Sequence, residues 1–365
     1  MKKLHHTLLI GDAMIPSSVF ESHFPAYLED IVHRYHSGEY EPVWSELQRR
    51  RLEVEKKGPE IELVPPTVEE SGAEAEMIMG LFVPISTKLM DAMPKLRIAG
   101  VCRAGLENVN VKEATKRGIL VFNVLGRNAE AVSDFTLGLM LAESRNIARA
   151  HFSVKNGRWR KTFSNSDFVP QLKGKTVGII GFGHIGRLVA KKLSGFDVKI
   201  IAYDPFADDK VFSPLSVERR EKDELFRESD FVTVHARLSE ESKGSIGKKE
   251  LESMKETAYL INTGRAGLID HAALLDVLKK GKIAGAGLDV FPDEPLPAES
   301  EFIELDNVTL TTHIAGTTYE ALNNSPALLM EDIRDFLLKD SAKFIVNREV
   351  LENPDFMQWL EELRK

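Results

Sequence analysis

Residues 176–196 read TVGIIGFGHIGRLVAKKLSGF, and this stretch decides the fold. A short apolar run, 176–180, passes straight into Gly181, Gly183 and Gly186 and then into the helical run RLVAKKLSGF. A G-x-G-x-x-G set between a strand and a helix is the turn that a dinucleotide-binding βαβ unit needs. Gly181 permits the tight turn, Gly183 lets a pyrophosphate approach the backbone, and Gly186 lets the helix pack closely on the strand. His184 and Ile185 complete the turn, and the helix amino terminus faces the phosphates. The next strand ends in YDPF, where Asp204 is placed to accept hydrogen bonds from the adenosine ribose hydroxyls and to repel a 2′-phosphate. NAD is therefore favoured over NADP.

Outward from this unit, β-rich runs at 199–203, 231–235, 258–262, 285–290 and 308–311 alternate with helical patterns, which predicts a parallel sheet. The same alternation occupies the amino-terminal part, with runs at 7–10, 61–64, 77–82, 96–102 and 119–122, and predicts a second one. Between the blocks, Val132, Phe135, Leu139 and Leu141 recur at near-helical spacing, so 128–149 is expected to be one long, largely buried helix. Residues 24–58 fit neither sheet and read as two helices inserted after the first strand. Residues 320–338 read as a helix, and NPDFMQWLEELRK at the end reads as a short additional one.

Composition excludes several function classes. A chain of 365 residues suits two domains, and no apolar run approaches the roughly 20 residues of a membrane span. With a net charge of -8 and interspersed basic residues, nucleic-acid binding is not expected. Cys102 is the only cysteine, which removes intramolecular disulfides and cysteine-built zinc sites and fits a cytoplasmic protein; no metal is expected. Cys102 closes the apolar run LRIAGVC and reads as a small buried side chain.

Three motifs follow later strands: INTGRAGLID, GAGLDVFPDEP and TTHIAGTT. In an open α/β sheet, loops at the strand carboxyl ends surround the ligand, so these can converge. Hydride transfer to a 2-keto acid needs a cation for the carboxylate and carbonyl oxygens, a proton donor to the developing alkoxide, and a group that orients the donor. Arg265 supplies a planar, permanently charged fork. His313 exchanges a proton near neutral pH. Glu294, bonded to the other ring nitrogen, would fix the tautomer and favour the imidazolium.

GFGHIG with YDPF, NTGRAGLID, GLDVFPDEP and THIAGTT together resemble the D-isomer-specific 2-hydroxyacid dehydrogenases, the group that includes phosphoglycerate, glycerate and D-lactate dehydrogenases. The resemblance spans nearly everything but residues 24–58 and the carboxyl tail. It implies catalytic roles for Arg265, Glu294 and His313, a nicotinamide-positioning role for Asp289, and cofactor contacts from His235, Thr263 and Gly316. It also implies that the backbone of Arg103, Ala104 and Gly105 holds the substrate carboxylate, and that the helix from Asn128 builds a homodimer. The fold expected is α/β with two doubly wound parallel-sheet domains. Residues 123–316 form a Rossmann NAD-binding domain; residues 1–122 with 317–345 form a smaller flavodoxin-like substrate domain carrying the helical insert 24–58; residues 346–365 form a tail.

Two positions depart from the family pattern. Ala266 replaces the glycine that usually follows the arginine, and Arg237 replaces the proline of the usual H-x-P-L, leaving a basic side chain near the adenosine end. Formate dehydrogenases carry Gln where this chain has Glu294, which argues against formate chemistry. The alternative function is an NAD(H)-sensing scaffold of the corepressor type. Arg103, Arg127, Arg158 and Arg160 lie in segments that could face the substrate, which points to an anionic or polyhydroxylated acid.

Overall fold

A computed structural model describes residues 2–339 and 341–365. The chain divides into two compact units, one running up to Arg127 and resuming at Thr318, the other spanning Asn128–Thr317. Each is a parallel sheet covered on both faces.

The smaller unit contains β1 (Leu4–Gly11), β2 (Val32–Glu39), β3 (Met77–Gly80), β4 (Ile98–Val101) and β5 (Leu120–Asn123). They pair in the order β2-β1-β3-β4-β5, all parallel, which is the flavodoxin-like order. Strands β3 to β5 are wholly buried, as strands covered on both faces must be. Their side chains alternate between two cores. Met77, Met79, Ile98, Leu120 and Phe122 face Leu329, Ile333 and Phe336 of helix Ser325–Lys339. Ile78, Ala99, Val101 and Val121 face Leu89 and Met90 of helix Thr87–Ala92. Cys102 is fully buried beside the first core.

Three expectations for this unit need correction. Residues 24–58 are not a helical hairpin: helix Ser17–Tyr27 ends there, β2 follows, and only Trp44–Lys57 is a second helix. Strand β2, VHRYHSGE, is an edge strand with mostly solvated side chains, so it shows none of the apolar alternation that marks a half-buried strand. Its strand state comes from pairing with β1, from Leu4↔Val32 to Gly11↔Glu39. Residues 61–64 are not a strand either. Pro59–Ile61 form a 3-10 turn, Leu63 is exposed, and Pro66 starts a helix, because prolines cannot donate to a ladder. The carboxyl tail is no appendage: Phe356, Leu360 and Leu363 of helix Pro354–Arg364 lie in the first core.

The larger unit holds β6 (Thr176–Ile180), β7 (Lys199–Tyr203), β8 (Glu218–Arg219), β9 (Phe231–Val234), β10 (Tyr259–Asn262), β11 (Gly285–Leu288) and β12 (Val308–Leu310). Their order, β8-β7-β6-β9-β10-β11-β12, is the Rossmann arrangement with one added strand. The expected long helix is two, Ala129–Ser144 and Ile147–Lys155. Asn146, at φ 60°, breaks it in the left-handed conformation that asparagine tolerates, and its side chain bonds Asn165. Arg149 then folds back onto the buried Glu143 at 3.0 Å. No described helix is long and apolar enough to cross a membrane.

Candidate active site

The glycine turn follows β6. Gly181 has φ 89°, and a Cβ there would lie 2.4 Å from Ala236 N. A Cβ on Gly186 would lie 2.2 Å from Gly181 O, so the helix His184–Leu193 packs on the strand only because Gly186 has none. A Cβ on Gly183 would meet nothing within 4 Å, and no side chain caps the helix, so backbone N–H groups at its amino terminus are left without a side-chain partner. Asp204 ends β7 beside this turn. Its Oδ2 accepts from Phe182 N at 2.8 Å, and its Oδ1 accepts from Phe206 N and Ala207 N at 2.9 and 3.2 Å. The acid expected to bind a ribose thus also braces the glycine turn, with carboxylate lone pairs to spare. The turn, the uncapped helix and the acid together fit a dinucleotide.

Arg265, Asp289 and His313 leave the ends of three neighbouring strands, β10, β11 and β12, whose register aligns Asn262 with Leu288 and Leu288 with Leu310. Asp289 is fully buried. Its carboxylate accepts from Thr311 Oγ1 at 2.7 Å, Ile314 N at 3.0 Å and Ala315 N at 2.9 Å, which clamps the loop on both sides of His313. His313 sits at φ 55° in that loop. Its Nδ1 lies 2.7 Å from Glu294 Oε2, and Glu294 Oε1 accepts from Phe291 N at 3.0 Å. The imidazole side chain is 34% exposed, so Nε2 remains reachable by a small molecule.

Arg265 is exposed, and its Nη1 donates to Gly264 O at 3.0 Å. Sequence reading gave no role to Asn262, which holds this loop: its Oδ1 accepts from Gly264 N at 3.0 Å and its Nδ2 donates to Arg265 O at 3.2 Å. The signal was an Asn two residues before a Gly, the local pattern of an Asx turn.

Other expected residues have protein partners. Thr263 Oγ1 is buried 2.7 Å from Thr136 Oγ1. His235 Nε2 lies 2.9 Å from Thr233 Oγ1, and burial pushes its imidazole down to about 3. Gly316 packs so closely on Asn128 that a Cβ would meet its Nδ2 at 2.2 Å. In the smaller unit, Arg103 pairs with Glu107 at 2.9 Å, Ala104 O accepts from Asn123 Nδ2 at 3.0 Å, and a Cβ on Gly105 would strike Glu107. Arg158 is exposed, whereas Arg160 is locked on both Asp306 oxygens at 2.6 Å and is not a ready substrate ligand.

The family described as D-isomer specific 2-hydroxyacid dehydrogenase, NAD binding domain, matches residues 137–315. A glyoxylate reductase of Thermofilum pendens is 41% identical over 272 residues, covering 73% of this chain and 80% of the relative. The chain belongs to the D-isomer-specific 2-hydroxyacid dehydrogenases. A hydroxypyruvate reductase of Thermotoga maritima is 40% identical over 251 residues, 68% of this chain and 80% of that one. A crystal structure of a Pyrococcus horikoshii OT3 protein shares the architecture with a TM-score of 0.69 and 26% identity, covering 100% of this chain and 99% of its own. As a member of this family the protein is an NAD-dependent oxidoreductase. In this dehydrogenase the cofactor's pyrophosphate would fall to the turn 181–186 and its ribose to Asp204.

Proposed function

We propose that this dehydrogenase interconverts a 2-keto acid and the D-2-hydroxy acid, with Arg265 binding the substrate, His313 exchanging the proton and Glu294 orienting His313. The observation that carries this reading is the 2.7 Å hydrogen bond between His313 Nδ1 and Glu294 Oε2. A carboxylate on Nδ1 keeps a proton there and leaves Nε2 as the atom that exchanges one with substrate. In reduction, bound NADH supplies a hydride to the carbonyl carbon. Nε2 of the imidazolium gives its proton to the carbonyl oxygen as the C–O double bond becomes a hydroxyl, and Glu294 offsets the charge that the ring carries before that step. In oxidation the ring takes the proton back. Arg265 offers a fork suited to the substrate's carboxylate and neighbouring carbonyl oxygen, holding the carbonyl polarised. The buried Asp289, by fixing Ile314 and Ala315, holds His313 in one place.

The names of the relatives make glyoxylate and hydroxypyruvate the first acids to try. Exposed Ile147, Phe152 and Val154 on helix Ile147–Lys155, with Trp159 beyond it, support the homodimer expected around this part of the chain. The test is a spectrophotometric NADH panel of glyoxylate, hydroxypyruvate, pyruvate, phosphohydroxypyruvate and longer sugar-derived keto acids. Turnover of at least one is expected. His313→Gln should lower it by about 10²–10⁴-fold, the usual contribution of a general acid, while NADH binding followed by fluorescence persists. Undiminished turnover in the variant would refute the role of His313. A protein that binds NADH and reduces none of the acids would be a sensing scaffold instead.

A further inference from the structure

Inside the larger unit, the loop that presents Arg265 and the segment that presents Glu294 are joined by His271, a side chain outside both the cofactor turn and the proton relay. Its place in the sequence is unusual. Helix His271–Lys279 buries Leu274, Val277 and Leu278, and His271, at i−3 to the first and i−7 to the last, falls on that same face. An apolar residue would pack there better than an imidazole. The ring instead makes two contacts in different directions. Its Nε2 lies 3.2 Å from Ala266 O, in the residue directly after Arg265. It also meets Phe302, with ring centroids 5.9 Å apart and planes at 78°. Phe302 is buried in the turn Glu301–Glu304, which continues the segment from Glu294. At the other end of the helix, Lys279 pairs with Glu301.

A carbonyl oxygen only accepts, so the proton of the neutral ring is on Nε2 and Nδ1 is a bare acceptor. Nδ1 is buried and, among the described residues, has no hydrogen-bond partner. Burial holds the imidazole below its usual range, opposed by the Ala266 carbonyl and Asp270, so the ring stays neutral. An unpaired buried nitrogen is unfavourable, and local rules of this kind are broken chiefly where function gains from it. What Nε2 holds is the one weak point among the supports of this loop. Arg265 O accepts from Asn262 Nδ2 at 3.2 Å, Gly267 O from Gly244 N at 2.8 Å and Leu268 O from Ile246 N at 3.0 Å, so both neighbours of Ala266 are tied by groups outside the turn. Besides His271, Ala266 O takes, among the described residues, the local bond from Ile269 N at 3.0 Å that closes the 3-10 turn Ala266–Leu268.

We propose that His271 is a positioning residue for the substrate-binding arginine: its Nε2–H fixes Ala266, and through it the direction in which Arg265 leaves the strand end, while its ring packs that loop against the segment carrying Glu294. This rests on the reading of Arg265 as the substrate ligand.

The experiment measures KM and kcat for glyoxylate, or for hydroxypyruvate where glyoxylate is not reduced, at saturating NADH, together with the Kd of NADH by fluorescence. His271→Phe keeps a ring against Phe302 and removes the donor. His271→Gln keeps an amide N–H with the reach of Nε2 and removes the ring. His271→Phe should raise KM about tenfold with kcat within about threefold, the split left by losing an interaction equal in ground and transition states, and should leave the Kd of NADH within about twofold. His271→Gln should bring KM back to within about threefold of wild type. Phe302→Leu, which loosens the ring and spares the donor, should raise KM in the same direction by about threefold. Unfolded enzyme lowers the apparent kcat and leaves KM alone, so KM reads positioning. An unmoved KM in His271→Phe, or in Phe302→Leu should the first variant not fold, would overturn the role. So would a His271→Gln KM as high as that of His271→Phe, or NADH binding weakened as much as KM. Arg265→Met tests the reading beneath it: a wild-type KM in that variant, or no reduction of either acid with NADH bound, would remove the substrate-binding role of Arg265 itself, and His271 would have nothing to position.

Discussion

The two sheets of this chain have the same construction, parallel strands whose central members are buried on both faces, and finish their carboxyl ends differently. In the seven-stranded sheet, polar side chains grip backbone: Asp204 holds the glycine turn, Asn262 holds the Arg265 loop, and Asp289 holds the His313 loop. In the five-stranded sheet Asp12 grips the backbone of Met14, Ile15 and Phe82 in the same way, and Arg51 and Arg103 add a second kind of contact, to the carboxylates of Glu55 and Glu107. A loop gripped through its own N–H groups is held in one conformation, which suits the proton-exchanging role proposed for His313. Partly solvated ion pairs between long side chains hold less firmly, because fixing them costs rotamer entropy.

Asp289→Ala is the strongest way to break this contrast. It leaves the part-buried N–H of Ile314 and the buried N–H of Ala315 without their acceptor, at about 1–3 kcal/mol for a buried group, so a loss of about 2–3 kcal/mol is expected in urea unfolding. Because the freed loop carries His313, turnover should fall about 10²-fold, as for a misplacement of about 1 Å. Wild-type stability with wild-type turnover would show that the grip is ornamental.

Acid should separate the sheets next. His235, at the end of β9, stays neutral in the folded protein down to about 3, while an unfolded chain protonates it below 6.5. Its folded pKa is depressed, so the unfolded state binds the extra proton and stability falls as pH drops below 6.5, by about 2 kcal/mol at pH about 5. Asp12, after β1, shifts the other way. Its folded pKa is raised from 3.8 to about 6, so it favours folding as pH falls through that window, opposed there by His6, which burial also lowers. Urea midpoints at pH about 7 and 5 should therefore show a loss that His235→Asn diminishes; an equal loss in the variant would sink the assignment.

The smallest effect is expected where Arg51 and Arg103 share Glu55. Glu55→Gln removes the acid shared by Arg51 and Arg103, yet these are partly solvated pairs and should change unfolding free energy by less than about 1 kcal/mol. A loss as large as that of Asp289→Ala would erase the distinction between the two kinds of loop.

Legibility followed the same division. The strands of the Rossmann unit were readable to within about a residue or two at their ends, because buried parallel strands are nearly continuous apolar runs and the glycine turn has few other uses. Only the two-residue β8, which has no pattern of its own, escaped notice. In the smaller unit, β2 was invisible as a strand. An edge strand with solvated side chains is defined by its partner, and no local spacing announces that. The break at Asn146 was likewise hidden inside a helical pattern, since it depends on a side chain reaching Asn165.

For the proposed site, the sequence by itself supplied the residue types: a glycine turn with its acid, and an arginine, a glutamate and a histidine after successive strands, each of a kind that hydride and proton transfer require. It could do so because each type follows from chemistry that a short motif records. Only the tertiary structure decided that Glu294 lies on the Nδ1 side of His313, that Asp289 and Asn262 are the clamps, and that Arg51 and Arg103 share Glu55. Those facts depend on which strand ends are neighbours and which carboxylates face which cations. Residues far apart in the chain acquire such relations only when backbone pairing and burial bring them together.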